Sequence, residues 1–180
     1  MQCPGGTLPM LAADPMSGER ELDPRSLGDH IDRLYRAAWA LCGSREDAED
    51  LVQETFVQVL RRPRLLRNDD DLGYLLRVLR NTFISRVRTA ARRPREVMLP
   101  DDLQVAETRT STDPASRLEA TELYAAIASL PEDFRDALIA VDLMGLSYGE
   151  AARALHVREA TLTTRLHRAR RRLADAVELD

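Results

Sequence analysis

The chain has 180 residues, of which 44% are hydrophobic, 31% charged and only 4% aromatic, with a formal charge of −4. That balance suits one medium domain or two small ones and excludes a single large core. No apolar run approaches a membrane span, and the N-terminus lacks the basic start and apolar block of a secretory signal, so a cytoplasmic protein without membrane insertion is expected.

Alanine, leucine and arginine dominate while Gly-Pro punctuation is confined to a few places, which favours helices over strands. The expected class is all-α, built as two small helical domains on a flexible linker. Residues 1–26 are Gly- and Pro-rich without periodicity and read as a disordered extension, in which Met10 and Met16 are alternative starts to Met1. A first helix is expected from Ser26 to Leu41, with Ile31, Leu34, Tyr35, Ala38 and Leu41 on one face and Gly43 as its stop. Ser44 and Asp47 have capping-box spacing and open a second helix that Pro63 ends. The aspartates Asp69 to Asp71 start a third, which ends before Pro94.

From Arg93 to Asp113 periodicity is lost and Pro, Thr and Asp accumulate, as in a linker. Asp113-Pro114 reads as an N-cap with a first-turn proline and opens the second domain. Leu130-Pro131 begins its next helix, Gly145 ends that one, and Ser147 with Glu150 forms another capping box. A short helix and a turn at His156-Val157 then lead into a basic final helix.

All 26 basic residues are arginine, and they cluster. Eleven lie between Arg61 and Arg95 against three aspartates, and seven between Arg153 and Arg172 against Glu159 alone. Two basic islands in an acidic chain point to two contacts with one polyanion. On the final helix Leu162, Leu166, Ala169, Leu173 and Val177 form the core stripe, while Thr164, His167, Arg168 and Arg171 lie opposite, with Ala160, Thr161 and Thr163 near the N-terminal end. A short helix, a turn and a longer helix with such a face is the helix-turn-helix plan, in which arginine pairs with guanine edges or phosphates and threonine offers a hydroxyl and a methyl. On the third helix Leu75, Leu76, Leu79, Phe83 and Val87 form the expected buried side, whereas Tyr74, Arg77, Asn81, Ser85 and Arg88 gather opposite. From the residues alone that second side reads first as a plain solvated surface, although it also suits a strand with unstacked bases. The second helix carries Asp47, Asp50, Glu54 and Gln58 in a stripe that either solvates the protein or docks on a basic partner.

Together, "REDAEDLVQETF" (Arg45 to Phe56), "LLRVLRNTFISRVR" (Leu75 to Arg88), "LPEDFRDAL", "GLSYGEAARAL" and "TLTTRLHRARRRL" resemble the extracytoplasmic-function group of bacterial sigma-70 RNA polymerase sigma factors. The resemblance implies region 2 over residues 27–92, a linker at 93–113 and region 4 over 114–180. It implies that Asp47, Asp50, Leu51, Gln53, Glu54 and Phe56 dock on the clamp coiled coil of the polymerase largest subunit. It likewise implies that Arg77, Arg80, Asn81, Thr82, Ser85 and Arg86, flanked by Tyr74 and Arg88, engage the −10 element, with Asn81 near a flipped base and the loop from Leu65 to Asp71 helping to choose it. Arg158, Thr161, Thr163, Thr164, Arg165, His167, Arg168 and Arg171 would read the −35 element.

Three positions depart from the family pattern. Tyr74 stands where Trp is usual, His156 replaces a glycine at the turn, and Ala160 to Arg165 replaces a "GTVKSR" segment. No catalytic set, cofactor motif or metal-ligand spacing is legible: His30, His156 and His167 are scattered, and Cys3 and Cys42 read as free thiols. The expected partners are core RNA polymerase, through its largest and second-largest subunits, promoter DNA and an anti-sigma factor, with the free chain a monomer. The alternative is a stand-alone helix-turn-helix regulator, which needs a dimer interface for two half-sites.

Overall fold

The computed structural model describes residues 19–22, 24–61, 65–67, 71–92 and 114–177. Cys3, Met10, Met16, the linker 93–113 and the N-cap expected at Asp113 lie outside the described residues. The class is all-α, with one three-residue ribbon beside the helices.

The first helical group contains α1 (Ile31–Cys42), α2 (Arg45–Arg61) and α3 (Asp71–Arg92). A 3-10 turn, Pro24–His30, leads into α1, so the α-helix proper begins later than Ser26. Gly43 ends α1 at φ 72, in the left-handed region that glycine enters without a Cβ penalty, and its N–H bonds the Trp39 carbonyl at 2.7 Å. Ser44 Oγ accepts from the Asp47 N–H at 3.4 Å, which caps α2. Leu34, Leu51, Leu75 and Leu79 are fully buried between the three helices, and Ala37, Ala38, Ala40 and Ala48 let the backbones approach closely.

The expected disorder of residues 1–26 is corrected over its last part. β1 (Glu19–Glu21) pairs antiparallel with β2 (Leu65–Arg67), Glu19 opposite Arg67 and Glu21 opposite Leu65. Two leucines, Leu22 and Leu27, are buried and fasten the segment to the helical core. Two isolated apolar anchors in a charged stretch carry no period, which is why the sequence pattern conceals them.

The second group contains α4 (Pro114–Ser129), α5 (Glu132–Leu138), α6 (Tyr148–Ala154) and α7 (Glu159–Val177). A π-helical turn, Ile139–Leu143, extends α5, and Gly145 ends it at φ 74. The Ser147–Glu150 capping box is complete in both directions, and its hydrogen bonds hold the Glu150 carboxyl below the usual range. Ile139, Met144, Leu162 and Leu166 form the buried centre of this group.

The two groups share one continuous core. α1 lies against α4 and the π-helical turn, and α3 lies against α6. Trp39 stacks on Tyr124 with ring centroids 4.3 Å apart and planes 14° from parallel. A Cβ on Gly43 would stand 3.0 Å from the Ala128 Cβ, so the chain needs glycine there for packing as well as for φ.

His156 is the one non-glycine residue at positive φ among the described residues, at φ 55. It accepts the left-handed geometry where the family pattern has glycine. His156→Gly is expected to raise the unfolding free energy by up to about 1 kcal/mol, and the β-branched His156→Val to lower it by about 1–2 kcal/mol, as read from thermal denaturation.

Candidate nucleic-acid interface

The C-terminal helix-turn-helix is well defined. α6 is capped, His156 turns the chain, and Leu162, Leu166 and Ala169 seat α7 on the core with Leu173 half-buried. Arg158, Thr161, Thr163, Thr164, His167, Arg168 and Arg171 are exposed on α7 and its approach. Thr163 and Thr164 donate their hydroxyls to the Glu159 and Ala160 carbonyls at 2.9 and 3.0 Å. Their oxygen lone pairs and methyl groups therefore remain for a ligand. Arg165 is half-buried and donates to Asp133 of α5 at 2.8 Å. Arg170 forks onto Asp142 at 2.5 and 3.0 Å, which leaves it an anchor of the helix rather than part of the open face.

On α3 the structure divides the expected DNA face. Asn81, Ser85 and Arg88 are exposed and Arg77 is half-exposed beside them. Tyr74 is only 8% exposed, so its ring belongs to the core and is not available for surface stacking. Thr82 is 1% exposed and spends its hydroxyl on the Val78 carbonyl at 2.8 Å. In exchange Val87, expected inside, is half exposed. The helix is rotated relative to its apolar count because α3 is buried on two sides, by α1 and α2 and by α6.

Arg86 turns toward α2. Its guanidinium lies 3.7 Å from Asp50 Oδ2 and 3.5 Å from Glu54 Oε2, and Nη1 donates to the Asp47 carbonyl at 3.4 Å. It therefore lies against the acidic stripe of α2. Asp47, Asp50, Gln53 and Glu54 of that stripe are exposed, and Phe56 is half-buried. Leu51, expected among the docking residues, is fully buried and is a core residue.

Arg80 makes the least expected contact. Its Nε donates to Asp136 Oδ2 at 2.5 Å and its Nη2 to Glu132 Oε1 at 2.6 Å, both on α5. The Asp136 side chain is 7% exposed, and burial pushes its carboxyl above the usual range even though Arg80 pulls the other way. Beside it the Arg135 guanidinium sits 5.4 Å from the Phe83 ring centroid. Sequence reasoning missed this contact because it joins residues 56 positions apart. The signal was the i,i+4 spacing of Glu132 and Asp136, which puts two carboxylates on one side of a helix.

Among the described residues no group of three His, Cys, Asp or Glu side chains could hold a metal, and no helix is long and apolar enough to cross a membrane.

The Sigma-70 region 2 family model matches residues 27–93, and the Sigma-70, region 4 model matches residues 120–173. The chain is 34% identical over 151 residues to the sigma factor EcfG of Rhodopseudomonas palustris, covering 83% of this chain and 82% of that one. The chain belongs to the extracytoplasmic-function sigma factors. It is 39% identical over 149 residues to SigE of Mycolicibacterium smegmatis, covering 81% of this chain but spanning only 58% of that longer relative. The Bartonella quintana sigma factor RpoE, solved in complex with the anti-sigma factor NepR, superimposes with a TM-score of 0.66 at 26% identity, covering 87% of this chain and 96% of that one. This sigma factor is a transcription initiation factor and not an enzyme.

Two outcomes follow from these placements. Leu51→Ala should destabilise the fold by about 2–5 kcal/mol in denaturant unfolding, so that any loss of partner binding tracks loss of folded protein. The Cys42 thiol is half-buried and pushed up to about 11, by burial first and by Asp47 second. It should therefore resist alkylation at neutral pH in the native chain and react on denaturation, as read by mass spectrometry.

Proposed function

We propose that this alternative sigma factor, which binds core RNA polymerase and directs it to promoters, divides the work among three helices. The exposed carboxylates Asp47, Asp50 and Glu54, with Gln53 and the rim of Phe56, dock on the clamp coiled coil of the polymerase largest subunit. Arg86 holds that stripe in place instead of touching DNA. Arg77, Asn81, Ser85 and Arg88, joined by Arg80, engage the −10 element, with Asn81 nearest a flipped base and the connection from Leu65 to Asp71, which opens with β2, assisting. The single observation that carries the reading is the outward face of α7, where three threonines, His167, Arg168 and Arg171 stand exposed after a capped helix and a left-handed turn. That face reads the −35 element in the major groove.

Residues 27–92 act as region 2 and residues 114–180 as region 4, joined through 93–113. The free chain works as a monomer in the cytoplasm, becomes nucleoid-associated within holoenzyme, and has an anti-sigma partner. The superposition on RpoE, a sigma factor solved with its anti-sigma factor NepR, supports that last assignment. The stand-alone regulator is not favoured, since the relatives matched across both halves are named as sigma factors.

Transcription with purified core polymerase on fragmented genomic DNA, followed by sequencing of RNA 5′ ends, tests the reading. Starts that depend on the protein and share paired upstream elements are expected; none at any promoter, with core binding also absent, would falsify it. Asp50→Ala/Glu54→Ala should weaken core binding roughly tenfold with the fold intact, a loss of ~1.4 kcal/mol. Arg168→Ala and Thr164→Ala should cost about 1–3 kcal/mol of discrimination at single upstream positions, read from the same start-site profiles.

A further inference from the structure

β2 lies midway along the connection between Arg61, where α2 ends, and Asp71, where α3 begins. Among the described elements β1 is its principal neighbour, and the two form a two-stranded sheet. The register runs over three pairs, Glu19 with Arg67, Arg20 with Leu66 and Glu21 with Leu65. A ribbon that short is marginal by itself in water, so its persistence depends on what holds its ends. Leu22 follows β1 directly, Leu27 lies in the 3-10 turn that runs into α1, and both are buried. The helical core therefore reaches the α2–α3 connection through the backbone of β1.

We propose that β1 is a specificity element for the −10 contact: it holds the Leu65–Arg67 backbone in the shape in which the connection receives the flipped base. The inference rests on the reading that the connection from Leu65 to Asp71 assists at the −10 element. An unpaired connection would have to be ordered by the DNA during binding, which lowers affinity, and it would adapt to several bases, which lowers discrimination. Pairing with β1 orders it beforehand. β1 consists of two glutamates and one arginine, a poor composition for holding phosphate, so its contribution comes through its main chain. It also precedes residues 27–92, the part assigned to region 2, so base choice at −10 depends on chain outside that part.

The test compares the full-length chain with Arg20→Pro/Glu21→Pro, with each proline alone, and with Arg20→Ala/Glu21→Ala. Successive N–H groups along an antiparallel strand point alternately toward and away from the partner, so two adjacent prolines remove a ladder donor whichever phase the pairing has. The alanine pair removes the same side chains and the same charges but keeps both N–H groups. Three quantities are measured: amide hydrogen exchange over Leu65 to Arg67 in the free chain, affinity for core polymerase, and RNA 5′ ends made by holoenzyme at saturating core on fragmented genomic DNA.

In the proline pair, exchange over Leu65 to Arg67 should quicken at least about tenfold. Preference for the favoured base at one −10 position should fall at least about fivefold. Core affinity and the −35 preferences should match those of the unaltered chain, because neither the α2 stripe nor the α7 face includes β1. Of the single prolines, only the one whose N–H faces β2 should behave like the pair. Two equally harmful single prolines would point to local distortion and overturn the proposal. An alanine pair as harmful as the proline pair would assign the effect to side chains and overturn it as well. Unchanged exchange, faster exchange with the −10 preference intact, or equal losses at −10 and −35 would each do the same. Starts of the unaltered holoenzyme that share no −10 element would instead sink the promoter reading itself, and this inference with it.

Discussion

A carboxylate taken out of water needs a cation or a set of donors, and Asp136 has its cation because Arg80 reaches it from α3. Much of the molecule's arrangement answers to that one pair. Arg80 is drawn across the surface of α3, Glu132 completes the fork, and Arg135 is left to lie over Phe83. The aromatic stack and the glycine-to-alanine approach at Gly43 and Ala128 close the same seam from the α1 side. These ions and rings are added to a core of leucine and alanine that runs through both groups.

The helices themselves were legible because punctuation and period agreed. Gly43, Gly145 and the Ser147–Glu150 box stand at the ends they were expected to make, and the α7 stripe through Leu162, Leu166 and Ala169 faces inward as its spacing requires. The second and third helices were harder. Period alone assumes one buried side, but α3 is covered by α1 and α2 and also by α6, so Tyr74 and Thr82 go in and Val87 comes out. Leu51 shows the same limit from the opposite direction: it stands within a run of exposed acids and yet faces the core.

Arginine roles were the least legible feature. The sequence contains no lysine, so every cation in a basic island has the same chemistry and only geometry sorts them. Arg86 goes to the acidic stripe of α2, Arg165 and Arg170 brace α7 against Asp133 and Asp142, and Arg88, Arg168 and Arg171 stay exposed. A composition-level count of positive charge therefore overstates the surface available to a nucleic acid. What remains is a narrower face, in which threonine methyls and oxygens matter as much as charge.

The two-stranded ribbon ties two distant parts of the chain together. β1 pairs with Leu65 to Arg67 on the α2–α3 connection, and Leu22 and Leu27, which follow it, are buried in the helical core. Loss of that strand would leave the backbone groups of Leu65 to Arg67 without their ladder partners, an open edge beside the helices.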